Sequence, residues 1–409
     1  MTKSDTPSPA ASPQAATSCA PATTGGSSPK FTGKPLPHLV PTPPSWHYFN
    51  AEHFQHELDN IWYREWLCLG RCTDLDKTGQ YHRFSVGDQR IFVVRSETGE
   101  LRGFHDTCRH RGSTLCEASR GRFKGNRIVC PYHAWTYALD GKLMHTPWRL
   151  PSDDFDTDAF PLLEVSVGEW GGNVFLNLDP DPAESLQGHL GGLPELFENW
   201  RLETCVSTFR MRKVVDCNWK IFWENFTECY HCPGIHPELC RIVPRFSQGI
   251  LRNTDLTPGV QSPSRERLLA EGAVTWSDSG ETDLPYFEAL SEEEVYIGQT
   301  FGVLSPSCFI AAHVDFVRFG HILPIGPEQT EVTIECLFPE QSATLPESQR
   351  QPNVEFIERL TLQDLRVCEL NQRGMHARPH QHGVLVPQEY YTYAFQQWVH
   401  ERMSATEAG

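Results

Sequence analysis

Two Cys–His pairs at a set spacing constrain this chain more than any other feature. The first is Cys108-Arg109-His110 and the second Cys130-Pro131-Tyr132-His133, with nineteen residues, Arg111 to Val129, between them. Two thiolates and two imidazoles are the donors of a Rieske 2Fe–2S centre, in which two cysteines hold one iron and two histidines the other. Neutral imidazole in place of thiolate makes such a cluster less negative and raises its potential above that of an all-cysteine ferredoxin. A structural zinc site uses the same four donors. Zinc modules usually pair cysteine with cysteine and histidine with histidine, whereas each pair here mixes the two.

Gly112, Gly121, Gly125 and Pro131 suit two loops that fold back tightly over a cluster. The runs Cys108 to Ser113 (Cys-Arg-His-Arg-Gly-Ser) and Cys130 to Tyr137 (Cys-Pro-Tyr-His-Ala-Trp-Thr-Tyr) resemble the Rieske non-haem iron oxygenases, in their large (alpha) subunit. That resemblance implies a second, mononuclear iron, and the rest of the chain is expected to supply it.

The totals leave room for this. A length of 409 residues accommodates two domains with full cores. A net charge of −17 argues against a nucleic-acid partner, which needs clustered Lys and Arg. No apolar run approaches the length of a membrane span. The start is polar and rich in Pro, Ser and Ala, with no signal-peptide core, so a cytoplasmic location is expected. Of the 14 cysteines, two have the cluster role and the others read as small buried apolar residues in a reducing compartment.

Taken in order, residues 1–45 have little to bury and read as a flexible, disordered tail. From Trp46 to Trp66, the spacing of Phe54, Leu58, Ile61, Trp62 and Trp66 predicts an amphipathic helix. Thr78 to Arg95 alternates around a Gly87-Asp88 turn and predicts a hairpin. Leu101 to His105, and Leu162 to Leu178 around Gly171-Gly172, supply further strands, giving an all-β Rieske domain over 46–180. A linker at 179–184 leads to a catalytic domain over 181–409. There, strands are expected at 205–216, 308–324 and 331–338, helical spacing at 218–232, a polar loop at 252–285, and helices at 353–371 and 390–403. Antiparallel strands followed by long late helices place the whole chain in the α+β class.

The second metal site begins with Glu228, His231 and His236. Three residues apart on a helix, Glu228 and His231 would share a face, and Pro233-Gly234 would end that helix so that His236 turns back toward His231. Two such histidines and one carboxylate make a facial triad that leaves three positions on iron open. On the helix 353–371 an apolar stripe runs Val354, Ile357, Thr361, then Asp364, then Cys368. A carboxylate on a buried stripe costs roughly several kcal/mol unless paired or bound to a metal. Asp364 is therefore the expected third ligand, the alternatives being a pair with Arg366 or Arg373 or an outward rotation.

The family resemblance adds roles. Asn218-Trp219-Lys220, Glu224-Asn225 and Glu228 to Pro237 resemble the mononuclear iron motif of these oxygenases, and Asp364 to Gly374 their late-ligand helix. It implies a catalytic domain of the helix-grip type with an antiparallel sheet. Most members carry aspartate three residues before the first histidine, bridging a neighbouring subunit's Rieske histidine to the iron. This chain has Glu228 there, and Glu228 to Cys232 looks like the branch that oxidises quaternary ammonium compounds such as carnitine and glycine betaine. The resemblance further implies a homotrimer, with electrons from NAD(P)H through a separate flavin and iron–sulfur reductase. No nucleotide-binding glycine motif stands in the chain itself. The expected reaction with O2 is oxidative N-demethylation of a small molecule with formaldehyde release. Hydroxylation or dihydroxylation of an aromatic or other small acid is the alternative, and a Rieske electron carrier the rival outside enzymes. Weaker features are His376, His380 and His382, expected in a solvated loop or a subunit contact, the pair Cys229/Cys232, expected as packing, and Trp276, Tyr286 and Phe287, expected as packing ahead of an ammonium cage.

Overall fold

The structure, a computed structural model, describes residues 34–73, 75–152, 154–251 and 267–404, with the backbone of Thr23 and Thr24. Most of the expected tail, and residues 252–266 of the expected polar loop, lie outside the described residues.

Residues 34–45 depart from the expectation of a free tail. Leu36 N, Thr42 N and Ser45 N donate to the carbonyls of Pro387, Gly383 and Gln381 at 2.8, 3.2 and 2.8 Å. Val40–Pro41 pairs antiparallel with Val384–Leu385, and Leu36 is buried with Leu385, Tyr390 and Tyr391. The order comes from partners more than three hundred residues away, which local composition cannot report.

The first sheet has seven strands. In chain order they are β1 (Leu67–Arg71), β2 (Gln80–Val86), β3 (Gln89–Arg95), β4 (Leu101–His105), β5 (Arg120–Arg122), β9 (Glu164–Trp170) and β10 (Asn173–Asn177), arranged β1-β10-β9-β4-β3-β2-β5. The hairpin β2–β3 forms in the expected place, with Gly87 at φ +55° in its turn, a conformation that favours glycine. A smaller sheet of β6 (Arg127–Val129), β7 (Thr136–Ala138) and β8 (Leu143–His145) carries the second Cys–His loop between β6 and β7.

The second sheet is antiparallel through β12 (Gln299–Leu304), β13 (Cys308–His313), β14 (Val317–Gly326), β15 (Gln329–Phe338) and β11 (Val206–Val215), and Thr23–Thr24 adds a short parallel edge. The single strand expected over 308–324 is two strands. That run is apolar on both faces, and it folds at Val314-Asp315, a turn with neither Gly nor Pro.

Helix α1 (Ala51–Glu57, continued to Trp62) precedes the first sheet, and α2 (Trp219–Phe226), α3 (Cys232–Ile235) and α4 (Pro237–Ile242) follow β11. Helix α5 (Glu347–Met375) runs beyond the predicted 353–371 at both ends and passes through Pro352, and α6 (Tyr390–Ser404) closes the described chain. Among the described residues no helix is long and apolar enough to cross a membrane.

Three ties fix the frame. Asn218 caps α2, accepting from Lys220 N at 3.0 Å, while its own N–H donates to Gln372 of α5 at 2.8 Å. Lys220 and Trp219 both meet the buried Glu57 of α1. The Arg71 guanidinium donates to the carbonyls of Gly171, Leu202 and Cys205 at 3.0, 3.0 and 2.6 Å, binding the first sheet to the segment entering the second. One apolar cluster contains Leu58, Ile91 and Val93 together with Phe309, Ile334, Phe356 and Ile357, so the two sheets share a core.

Candidate metal centres

The first centre lies on two loops of like construction. The Cys108 carbonyl accepts from Gly112 N at 2.9 Å, and the Cys130 carbonyl from Ala134 N at 3.0 Å. Each loop ends on a left-handed residue, Gly112 at φ +73° and Ala134 at φ +55°. Ala134 is thus the counterpart of Gly112, a role the sequence concealed behind an ordinary residue. Asp106 clamps the first loop, accepting from Leu115 N and Cys116 N at 2.7 and 2.9 Å and pairing with Arg90 at 3.2 Å.

The four donors separate by type. Cys108 and Cys130 are buried, whereas His110 is exposed and His133 half-buried. The two imidazoles bring their Nδ1 atoms to 3.1 Å, and Trp135 stacks on His110 at 4.9 Å. Tyr137 Oη lies 3.2 Å from Cys108 Sγ, where a ligating thiolate accepts its proton. Tetrahedral zinc would draw all four donors to one point. Among the described residues the only group with three donor atoms within 4.8 Å of one another is His231, His236 and Asp364. A sulfur side facing inward and a histidine side facing outward instead fit a two-iron cluster.

The second centre joins a broken helical segment to α5. Helical spacing over 218–232 predicted one helix, but α2 stops at Phe226. The Glu228 carboxylate accepts from the amides of Tyr230 and His231, offering the backbone a competing partner that unwinds residues 227–231. Pro233 and Gly234 lie inside the short α3 rather than ending a helix, and His236 stands between α3 and α4 at φ −122°, ψ 59°. Glu228 and His231 still meet, across this break.

The geometry is that of a triad. His236 Nε2 and His231 Nε2 approach Asp364 Oδ1 to 2.8 and 3.3 Å. His231 Nδ1–H donates to Glu228 Oε1 at 2.5 Å, and His236 Nδ1–H to Gln363 Oε1 at 2.7 Å. With both Nδ1–H groups committed to these acceptors, it is the Nε2 atoms, turned toward Asp364, that a metal would take in place of their protons. Gln363 Nε2 in turn donates to Glu238 at 2.8 Å, and Arg359 pairs with Glu238 at 3.3 Å. Gln363, Glu238 and Arg359 were not anticipated. Their signal lay only in Gln363 being the neighbour of Asp364 on the predicted helix.

Electrostatics favour a cation here. Burial opposes charge on Asp364, yet the hydrogen bonds from His231 and His236 hold its carboxyl below the usual carboxylate range. Burial likewise opposes charge on His231 and is outweighed by Asp364, Cys232 and Glu228, which raise the imidazole. A divalent metal ion answers the same demand for positive charge. Asp364 does not pair with Arg366 or Arg373.

The weaker features resolve differently. His376 caps the end of α5, pairs with Glu328 at 2.6 Å and stacks on Phe49. Cys229 and Cys232 are buried beside the triad, with Cys232 Sγ 3.9 Å from His231 Nε2. Trp276 and Phe287 are buried while Tyr286 is exposed, and Trp276 packs on His313 and Phe356.

Comparison with known proteins follows the same division. Residues 65–156 match the Rieske [2Fe-2S] domain, and residues 195–405 match the family described as ring hydroxylating alpha subunit (catalytic domain). The chain is 29% identical over 376 residues to the glycine betaine monooxygenase oxygenase subunit of Chromohalobacter salexigens, covering 85% of this chain and 81% of that one. It is 32% identical over 238 residues to the carnitine monooxygenase oxygenase subunit of Escherichia coli K12, covering 56% and 62%. Its fold matches the quaternary ammonium Rieske monooxygenase CntA in complex with gamma-butyrobetaine at a TM-score of 0.67 and 22% identity, over 90% of this chain and 97% of that one. A Rieske cluster and a non-haem iron are thus its cofactors, and with just over half of its length, 195–405, matched to the catalytic domain, the chain belongs to the ring-hydroxylating alpha subunits of the Rieske non-haem iron oxygenases.

Proposed function

We propose that this chain oxidatively removes a methyl group from a small quaternary ammonium compound of the glycine betaine type. The run Glu228 to Cys232 carries the reading, because it resembles the quaternary ammonium branch, and the relatives above are named for glycine betaine and carnitine.

In this reading Cys108, His110, Cys130 and His133 hold the cluster, and His231, His236 and Asp364 hold the iron. When bound, the cluster supplies single electrons and the iron activates dioxygen. Glu228 and Gln363 keep the two imidazoles turned so that their Nε2 atoms face Asp364. Glu228 also supplies an acceptor through which a cluster histidine of another subunit can couple to His231, and the exposure of His110 suits such a contact. That coupling needs a homotrimer or a comparable ring of subunits, and a separate flavin and iron–sulfur reductase passing on electrons from NAD(P)H. One oxygen atom enters a methyl C–H bond and the other leaves as water, with two electrons and two protons consumed. The resulting N-hydroxymethyl ammonium then loses its hydroxyl proton, the C–N bond breaks with its electron pair going to nitrogen, and formaldehyde and a tertiary amine are released.

A single turnover tests this. Anaerobically reduced protein is mixed with oxygen and with methylammonium compounds or aromatic acids, while formaldehyde and Rieske oxidation are followed together. Substrate-dependent formaldehyde is the expected result. Rieske oxidation coupled to a hydroxylated aromatic acid, with no formaldehyde, would replace the demethylase reading with ring hydroxylation.

A further inference from the structure

The sheet face turned toward the triad carries a set of buried polar atoms with nothing to bind. Strand pairing sets His313 opposite Gln299, Ala311 opposite Phe301 and Arg318, and Phe309 opposite Gly320. Alternation therefore puts Gln299, Phe301, Phe309, His313 and Arg318 on one face. It is the face packed on α5: Phe309 shares its apolar cluster with Phe356 and Ile357, and Arg318 Nη2 donates to Thr361 Oγ1 at 3.3 Å. Thr361 stands three residues before the triad's Asp364 on α5, hence on nearly the same side of that helix.

On this face Arg318 is 7% exposed, Gln299 4% and His313 0%, and Trp276, whose ring lies 5.0 Å from that of His313, is 3% exposed. Arg318 Nε, both ring nitrogens of His313, Gln299 Oε1 and Trp276 Nε1 lack hydrogen-bond partners among the described residues. Buried polar atoms are nearly always satisfied, so orphans gathered on one face mark a place for a polar ligand. The charge of Arg318 likewise has no direct ion pair, and the field of the more distant Asp364 does not offset its burial. Its contacts are the Thr361 hydroxyl and the Phe309 ring, 5.2 Å from the guanidinium carbon, and no carboxylate among the described residues lies within 4.0 Å. Asp364, the carboxylate whose field Arg318 feels, is engaged by the imidazoles, and the buried Asp315 by Thr275 and Asn353. Burial keeps His313 neutral, so it brings no competing charge.

Building on the demethylase reading, we propose that the substrate carries a carboxylate and that Arg318 receives it, with Trp276 and His313 as supporting donors. A guanidinium held in an apolar setting matches a carboxylate in shape and charge, and an anion there offsets the cost of its burial. Arg318 is on this account a specificity-determining residue: it favours betaines over alcohols that share the same trimethylammonium group.

Calorimetric titration of the holoprotein with glycine betaine and with choline tests this, because the two differ only in carboxylate against hydroxymethyl. The wild type binds the betaine at least about tenfold more tightly, and Arg318→Gln weakens betaine about a hundredfold while choline stays within about threefold. In turnover, Arg318→Gln raises KM and leaves kcat at saturation close to wild type, and Arg318→Lys recovers part of the loss. Equal wild-type affinities overturn the proposal, as does a variant that weakens both ligands alike. If Arg318→Gln does not fold, the wild-type betaine-to-choline ratio and Arg318→Lys decide it. An aromatic carboxylate that binds through Arg318, when no trimethylammonium compound binds, removes the demethylase reading and leaves Arg318 as the carboxylate receptor.

Discussion

Replacing Gln363 by methionine keeps the length of the side chain and deletes the acceptor behind His236. The His236 Nδ1–H then loses its 2.7 Å bond inside a site where that imidazole is 3% exposed. A buried donor left unpaired costs about 1–3 kcal/mol. Because the loss falls on a ring that faces the metal, iron affinity should drop by about 10- to 100-fold, as for other outer partners of metal ligands. Glu238 loses one donor but keeps Arg359 at 3.3 Å, so the fold should stand. Competition between the protein and a chromophoric ferrous chelator reads the affinity directly, and the visible absorption of the Rieske cluster serves as an internal control. Wild-type iron affinity in Gln363→Met, or parallel loss of the cluster, would refute the role assigned to Gln363.

Tyr137→Phe removes the hydroxyl 3.2 Å from Cys108 Sγ, and voltammetry should show the Rieske potential lowered by on the order of 40 mV, equivalent to about 1 kcal/mol for one electron. Gly70 sits at φ +81° with His321 Cε1 2.5 Å from where a Cβ would stand, so Gly70→Ala should cost about 2–5 kcal/mol; an unchanged melting temperature would contradict that packing. Burial pushes the Glu224 carboxyl from 4.5 up to about 7, against hydrogen bonds from Tyr48 and Gln396. A raised folded value stabilises fully below the unfolded pKa and is lost as pH rises through the folded one, so stability should decline between pH 4.5 and about 7. Glu224→Gln should flatten that decline in melting temperature, and identical pH profiles would dismiss it.

The parts of the fold legible in the sequence are those that local chemistry dictates. The Gly87-Asp88 hairpin needs a turn residue, the stripe on α5 needs a period, and metal donors need particular side chains at particular spacings. Asp364 stands out because a carboxylate in line with Val354, Ile357 and Cys368 is costly to bury without a cation or hydrogen-bond donors to meet it. What stayed hidden depends on competition or distance. The break after Phe226 comes from the Glu228 side chain capturing two amides, within a run whose helical spacing was otherwise sound. The turn at Asp315 lies in a stretch buried on both faces, where no alternation marks its end. Gln363 looked like any polar residue on a helix, and residues 34–45 are ordered only by the far end of the chain.

Arg71 carries a consequence for how this protein comes apart. Its guanidinium holds carbonyls at Gly171, Leu202 and Cys205, before and after the passage between the two sheets, and the apolar cluster beneath it draws on both. Neither half can melt without stripping the other of partners. Calorimetry should therefore record one cooperative transition, with bleaching of the cluster and loss of the second sheet at the same temperature. The junction acts as a weld where a hinge would leave play, and the spacing between the two redox centres of one subunit is fixed by the fold itself.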